Sequence, residues 1–183
     1  DIAAAGGTYV EAPVSGSRVP AETGTLVGLL AGPPAAVERV RQLIGPLCSR
    51  VEVCGEVPAA LMMKLSANVF LVSLLAGLAE SFHFAEAHSM DLEVLRSILD
   101  AGQMASPLSR VKTDKLVRGD MTPQASIADV HVNAELIQDA AAAAGIASPL
   151  IDACAQLFAG GVAAGDGGLD AVAIVRTLAG LSR

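Results

Sequence analysis

Apolar positions dominate the stretch from Pro58 to His88. Between Glu56 and Glu80 it carries one formal charge, Lys64, set in Ala59-Ala60-Leu61-Met62-Met63-Lys64-Leu65-Ser66-Ala67-Asn68-Val69-Phe70-Leu71-Val72. A run of that length predicts one long helix, around which the rest of the chain is organised. Upstream the pattern is mixed. Residues 8–12 read as a short strand, and 13–17 as the loop leaving it. Residues 25–31 form a continuous apolar run between Gly24 and Gly32-Pro33-Pro34, the mark of a strand buried on both faces. Apolar residues at 36, 37, 40, 43 and 44 have helical spacing and stop at Gly45-Pro46, and 50–54 alternate as a further strand.

Downstream the periodicity is helical throughout. Asp91 caps a helix over 92–101 that ends at Gly102. Ser106-Pro107 opens another toward Val117, and 119–123 form a turn. A longer helix runs from about 126 to 144 and closes at Gly145. Ser148-Pro149 restarts a helix to about 159. Gly160-Gly161 and then Gly165-Asp166-Gly167-Gly168 break it before a last helix at 169–179. The fold class is therefore mainly α: helices around a long central one, preceded by a few strands of an α/β sheet too small to cover both of its own faces.

A lone ammonium in so apolar a helix needs a reason. Lys64 and Asn68 lie four residues apart, so on a helix they share one face. Leu61, Leu65, Val72 and Leu75 would partly strip water from the amine, a setting in which a lysine can serve as proton donor or acceptor. Three readings follow. The helix could span a bilayer by length, but Lys64, Ser66, Asn68 and Ser73 lie within it and no basic cluster flanks it, so no membrane partner is expected. Lys64 could instead snorkel from a core helix to the surface or a neighbouring acid, or Lys64 and Asn68 could line a polar cleft.

Composition narrows the choice. The chain has 183 residues, 52% hydrophobic and 3% aromatic, so its core is built from Ala, Leu and Val. Net charge is −7 with a pI near 4.8 and no basic stripe, which argues against nucleic-acid partners. Cys48, Cys54 and Cys154 have no metal-ligand spacing and suit a reducing, cytoplasmic setting. His83 and His88 share no helical face and His131 stands alone, so no metal site is expected. Met62, Met63 and Met90 read as core filler. The opening residues 1–7 read as a chain already under way, a helix end turning into a strand, and no secretory signal is expected.

Glu11-Ala12-Pro13-Val14-Ser15-Gly16-Ser17, Ala21-Glu22-Thr23-Gly24-Thr25-Leu26 and Gly55 followed by Lys64-Leu65-Ser66-Ala67-Asn68 together resemble the β-hydroxyacid dehydrogenase family. The wording is nearest to the glyoxylate/succinic semialdehyde reductase branch. That resemblance implies a division at about residue 55. Residues 1–55 would be the tail of a Rossmann-like dinucleotide-binding domain, and 56–183 an all-helical substrate and dimerisation domain, as in the 6-phosphogluconate dehydrogenases. It implies an oxidoreductase using NAD or NADP, NADP slightly preferred, on a small carboxylic acid substrate, and a homo-oligomer. Lys64 would be the catalytic acid/base and Asn68 its helper. Ser15 and Gly16 would form the substrate-carboxylate loop, and Asp129 would line the cleft. The glycine-rich phosphate loop would lie upstream, because Gly165–Gly168 follows a helix and not a strand, and the cofactor-binding residues are left unassigned.

Three features depart from the family pattern. Ala128-Asp129-Val130 stands where the family has Lys-Asp-Leu, the segment between Pro123 and Asp129 is about one helical turn shorter, and Pro58 and Ala60 replace common glycines. They keep open a rival reading, a non-catalytic oligomerisation or interaction module on the same scaffold.

Overall fold

The computed structural model describes residue 2 and residues 4–181. Asp1 and Ala3, part of the helix end expected at the start, lie outside the described residues. The chain divides into two compact units, Asp1–Ala67 and Asn68–Arg183.

The first unit is a three-stranded sheet with helices. Its strands are β1 (Val14–Ser15), β2 (Leu26–Ala31) and β3 (Cys48–Gly55), in the order β1-β2-β3, with β1 antiparallel and β3 parallel to β2. β2 is the continuous apolar run and is buried along nearly its whole length. The first strand differs from its expected place at 8–12. Pairing with β2 begins at Glu11, which exchanges both backbone hydrogen bonds with Ala31, and resumes at Val14. Pro13 has no N–H and interrupts the ladder, contributing only its carbonyl to Leu29.

A short helix α1 (Arg18–Glu22) follows, in a stretch to which the sequence pattern assigns no element. Five residues are too few to display a period. α2 (Pro34–Ile44) crosses from β2 to β3 and ends at a 3-10 turn, Gly45–Leu47. The unit's core joins Leu29 and Ala31 of β2 to Ala60, with Val27, Cys54 and Ala59 packed around them. Ala59 and Ala60 open the long helix α3 (Ala59–Ala87), whose first nine residues belong to this unit.

The second unit is helical: the rest of α3, then α4 (Leu92–Ala101), α5 (Pro107–Arg118), α6 (Ile127–Ala144), α7 (Pro149–Ala163), a 3-10 turn at Ala171–Ile174 and α8 (Val175–Leu181). The helix starts follow local chemistry. Asp91 accepts from the N–H groups of Glu93 and Val94, and Ser106 and Ser126 each close a capping box. Gly119 and Gly145 end α5 and α6 in the left-handed conformation. α6 packs on α7, α4 on α5, and α5, α6 and α7 all touch the 3-10 turn. Phe158, Ile127, Ile151, Val172 and Ile174 are fully or almost fully buried.

α7 runs through Gly160-Gly161, where the sequence suggests a break. Those glycines serve packing. A Cβ on Gly161 would lie 3.1 Å from Ile127 Cγ2 and 3.2 Å from Thr177 Oγ1, and one on Gly160 would lie 3.0 Å from Thr177 Cγ2. Their absent side chains let α6 and α8 approach.

α3 is long and apolar enough to cross a bilayer by length and composition. Val72, Leu75, Ala79 and Phe82 form its buried stripe, while Phe70 and Phe84 stay 71% and 65% exposed.

Candidate active site

In the first unit, Ser15 ends β1 with an exposed side chain and Gly16 turns the chain toward α1. Gly16 has φ +130°, and a Cβ there would meet Leu26 Cδ2 at 2.7 Å and Pro20 Cβ at 3.0 Å. Both backbone conformation and space therefore demand glycine.

Lys64 lies in the second turn of α3 and is half-buried. Its apolar flank is more open than the sequence suggests, since Leu61 is 41% exposed. Among the described residues none hydrogen-bonds or ion-pairs with the Lys64 ammonium. The contrast with the other two lysines is sharp. Lys112 Nζ donates to both carboxylate oxygens of Asp170, at 2.7 and 2.8 Å, and Lys115 Nζ bonds Asp120 Oδ2 at 3.0 Å and the Thr122 carbonyl at 2.6 Å. Two lysines are consumed by structure; among the described residues the third has no such partner.

In the second unit Asn68 is buried, and its Nδ2 donates to Asn133 Oδ1 at 2.7 Å. Asn133 donates in turn to the Asp129 carbonyl at 2.7 Å, within the first turns of α6. The Asp129 side chain is exposed and closes the capping box, accepting from Ser126 N at 3.0 Å and Ser126 Oγ at 2.7 Å. Those bonds from Ser126 hold its carboxyl below the usual range. Ala128 donates its N–H to the Gly167 carbonyl.

The buried pair Lys112–Asp170 has no counterpart in the sequence reading. Asp170 also accepts from Gln124 N and Val172 N, so one carboxylate gathers α5, the loop before α6 and the 3-10 turn. Burial pushes the Lys112 ammonium below its ordinary range, against the pull of Asp170. Glu11 also escapes sequence reasoning. It is 3% exposed, and its Oε2 accepts from the N–H groups of Ala60 at 3.1 Å and Leu61 at 3.2 Å. An acid two residues before a proline gives no local sign of such a role.

His88 stacks on Phe84 with ring centroids 4.2 Å apart, and His131 faces Glu135 at 3.6 Å. Among the described residues no three His, Cys, Asp or Glu side chains gather as a metal ion requires.

A dinucleotide needs free N–H groups at a glycine-rich strand-to-helix turn. The turn from β2 to α2 is Gly32-Pro33-Pro34, in which both prolines lack the donor, and the N–H groups of Ala36 and Val37 are spent on the Pro33 carbonyl. This turn does not fit a pyrophosphate.

A family model described as the NAD-binding domain of NADP-dependent 3-hydroxyisobutyrate dehydrogenase matches residues 59–178. A second, the NAD-binding domain of 6-phosphogluconate dehydrogenase, matches residues 1–55. Glyoxylate/succinic semialdehyde reductase 1 of Arabidopsis thaliana is 28% identical over 97% of this chain and 61% of its own length. The cytokine-like nuclear factor N-PAC of Aedes aegypti is 29% identical over 81% of this chain and 26% of its own. The crystal structure of 3-hydroxyisobutyrate dehydrogenase from Salmonella typhimurium superposes with a TM-score of 0.88 at 24% identity, over 96% of this chain and 62% of that one. The chain thus spans about three fifths of the length of the reductase and of the dehydrogenase. With the larger family model covering well over half of its residues, and both matched domains being NAD(P)-binding ones, this chain belongs to the β-hydroxyacid dehydrogenase family.

Proposed function

We propose that this chain is the later part of an oxidoreductase that moves a hydride between NAD(P), preferentially NADP, and a small hydroxy acid or semialdehyde acid. The observation that carries the proposal is Lys64, half-buried and without a protein partner among the described residues, in the motif whose resemblance to the family implies an acid/base lysine. The dinucleotide supplies the hydride. The residues of this chain handle the proton and the acid.

Lys64 gives its proton to the oxygen that becomes an alkoxide as a carbonyl is reduced, and recovers it in the reverse direction. Asn68, one turn further along α3, supplies an amide that orients without titrating, and Asn133 restrains it. Ser15 offers an exposed hydroxyl and Gly16 an uncovered backbone for the substrate carboxylate. Asp129 contributes through the start of α6, which its capping box holds. The similarity to a glyoxylate/succinic semialdehyde reductase supports short aldehyde acids as substrates. The exposed Phe70 and Phe84 support a homo-oligomer, and the setting proposed is cytoplasmic.

The test is NADPH consumption with glyoxylate or succinic semialdehyde by the complete protein. Lys64→Ala should lower kcat by about 10²-fold or more, and these 183 residues alone should show no turnover. An unimpaired Lys64→Ala enzyme rejects the assignment. A second reading, a non-catalytic interaction module, is favoured by Ala128 and by the similarity to N-PAC nuclear factors. It requires that the complete protein neither turns over these acids nor depends on Lys64.

A further inference from the structure

We infer that Glu11 is a positioning residue for Lys64, its buried carboxylate locking the first turn of α3 to the strand that leads to Ser15 and Gly16. The inference rests on the proton-transfer role proposed for Lys64.

A helix begins with N–H groups that have no partner inside it. In α3 the Ala59 N–H goes to the Glu56 carbonyl and that of Met62 to the Pro58 carbonyl. Ala60 and Leu61 have no local partner, because Glu56-Val57-Pro58 places no capping side chain before them. Glu11, some fifty residues earlier, fills both vacancies with one oxygen. Ala60 is fully buried against Leu29 and Ala31, so water cannot replace that oxygen. A negative charge at this end also suits the dipole of a 29-residue helix.

The bond constrains geometry. The Glu11 backbone is fixed to Ala31, and Ser15, on the same segment, is fixed to Val27 of the same strand β2. Lys64 lies three residues beyond Leu61, about 4.5 Å along the axis. With no hydrogen-bond or ion-pair partner among the described residues, the Lys64 ammonium depends for its placement on the helix that carries it. Any tilt or fraying of that first turn is passed to the ammonium, and a misplacement of about 1 Å in a reacting group can cost up to about 10²-fold in rate.

The experiment uses the complete protein, with Glu11→Ala, Glu11→Gln, Lys64→Ala and the double variant Glu11→Ala/Lys64→Ala. Glu11→Ala should lower kcat about tenfold, leave KM within about threefold, and speed amide exchange at Ala60 and Leu61. Glu11→Gln keeps an acceptor oxygen of the same reach and should recover most of both. In the Lys64→Ala background, Glu11→Ala should change the residual kcat less than about twofold, since the residue it positions is gone. Should Glu11→Ala not fold, Glu11→Asp, one methylene short, takes its place with a smaller loss in the same pattern. Equal losses in both backgrounds, or unchanged exchange at Ala60 and Leu61, overturn the inference. A Lys64→Ala variant as active as the parent overturns instead the role proposed for Lys64, and the exchange data then still decide whether Glu11 anchors the helix.

Discussion

The Asn68 amide nitrogen stands 2.7 Å from Asn133 Oδ1, and this bond ties α3 to α6 inside the second unit. Asn68 is 7% exposed, so losing its partner strands a donor that water reaches poorly. Asn133→Ala should destabilise the protein by about 1–3 kcal/mol. If Asn68 assists Lys64 as proposed, the substitution in the complete protein should also lower kcat more than it raises KM. Chemical denaturation and steady-state kinetics measure the two effects.

Lys112 and Asp170 form a bidentate pair with side chains 3% and 0% exposed. Removing one partner leaves the other charge without solvent. Lys112→Leu should cost about 3–5 kcal/mol, seen as a lower urea midpoint. The double variant Lys112→Leu/Asp170→Asn should be less damaging than Lys112→Leu alone, because it leaves no buried carboxylate with only the more distant Lys115, 4.0 Å away, to balance it.

Gly16→Ala would place a side chain at φ +130° with Leu26 Cδ2 at 2.7 Å. Backbone strain alone predicts a loss of about 1–3 kcal/mol. In the complete protein the substrate KM should rise while Lys64-dependent chemistry persists. A variant with unchanged KM would remove Ser15 and Gly16 from the substrate site.

Asp120 is held down to about 2 from 3.8, first by the Thr122 backbone N–H, then by further bonding to Thr122 and by Lys115. A carboxylate whose folded-state pKa is depressed stabilises the fold above its unfolded value and loses that contribution as pH falls. The support from Asp120 is therefore complete above about pH 4 and fades toward pH 2. Asp120→Asn should lower Tm at neutral pH, with the difference from the parent shrinking to zero as the acid limit is approached. Tm measured across that range checks the sign.

Phe70 and Phe84 present rings that are 71% and 65% exposed on α3. If a second copy covers this helix, Phe70→Glu/Phe84→Glu should shift the mass measured by light scattering toward the 18.5 kDa monomer. A parent chain that is already monomeric rejects the proposed homo-oligomer.

The sequence by itself determined the elements whose cause is local. The apolar run of α3, the Asp91 and Ser106 caps, and the Gly145 stop each act within a few residues, and all are legible without a fold. The family wording around Ser15, Gly16, Lys64 and Asn68 is legible for the same reason: it is carried by short spans.

What only the tertiary structure decided are relations between distant residues. Glu11 meets Ala60, Lys112 meets Asp170, Asn68 meets Asn133, and Gly160-Gly161 admits Thr177 and Ile127 where a local rule reads a break. Each depends on burial, which denies water to a charge or donor and obliges it to find a partner wherever the fold brings one. Periodicity encodes which face of an element is apolar but not which atom from fifty residues away will stand against it, so Glu11 and Asp170 looked like ordinary acids until the chain was folded.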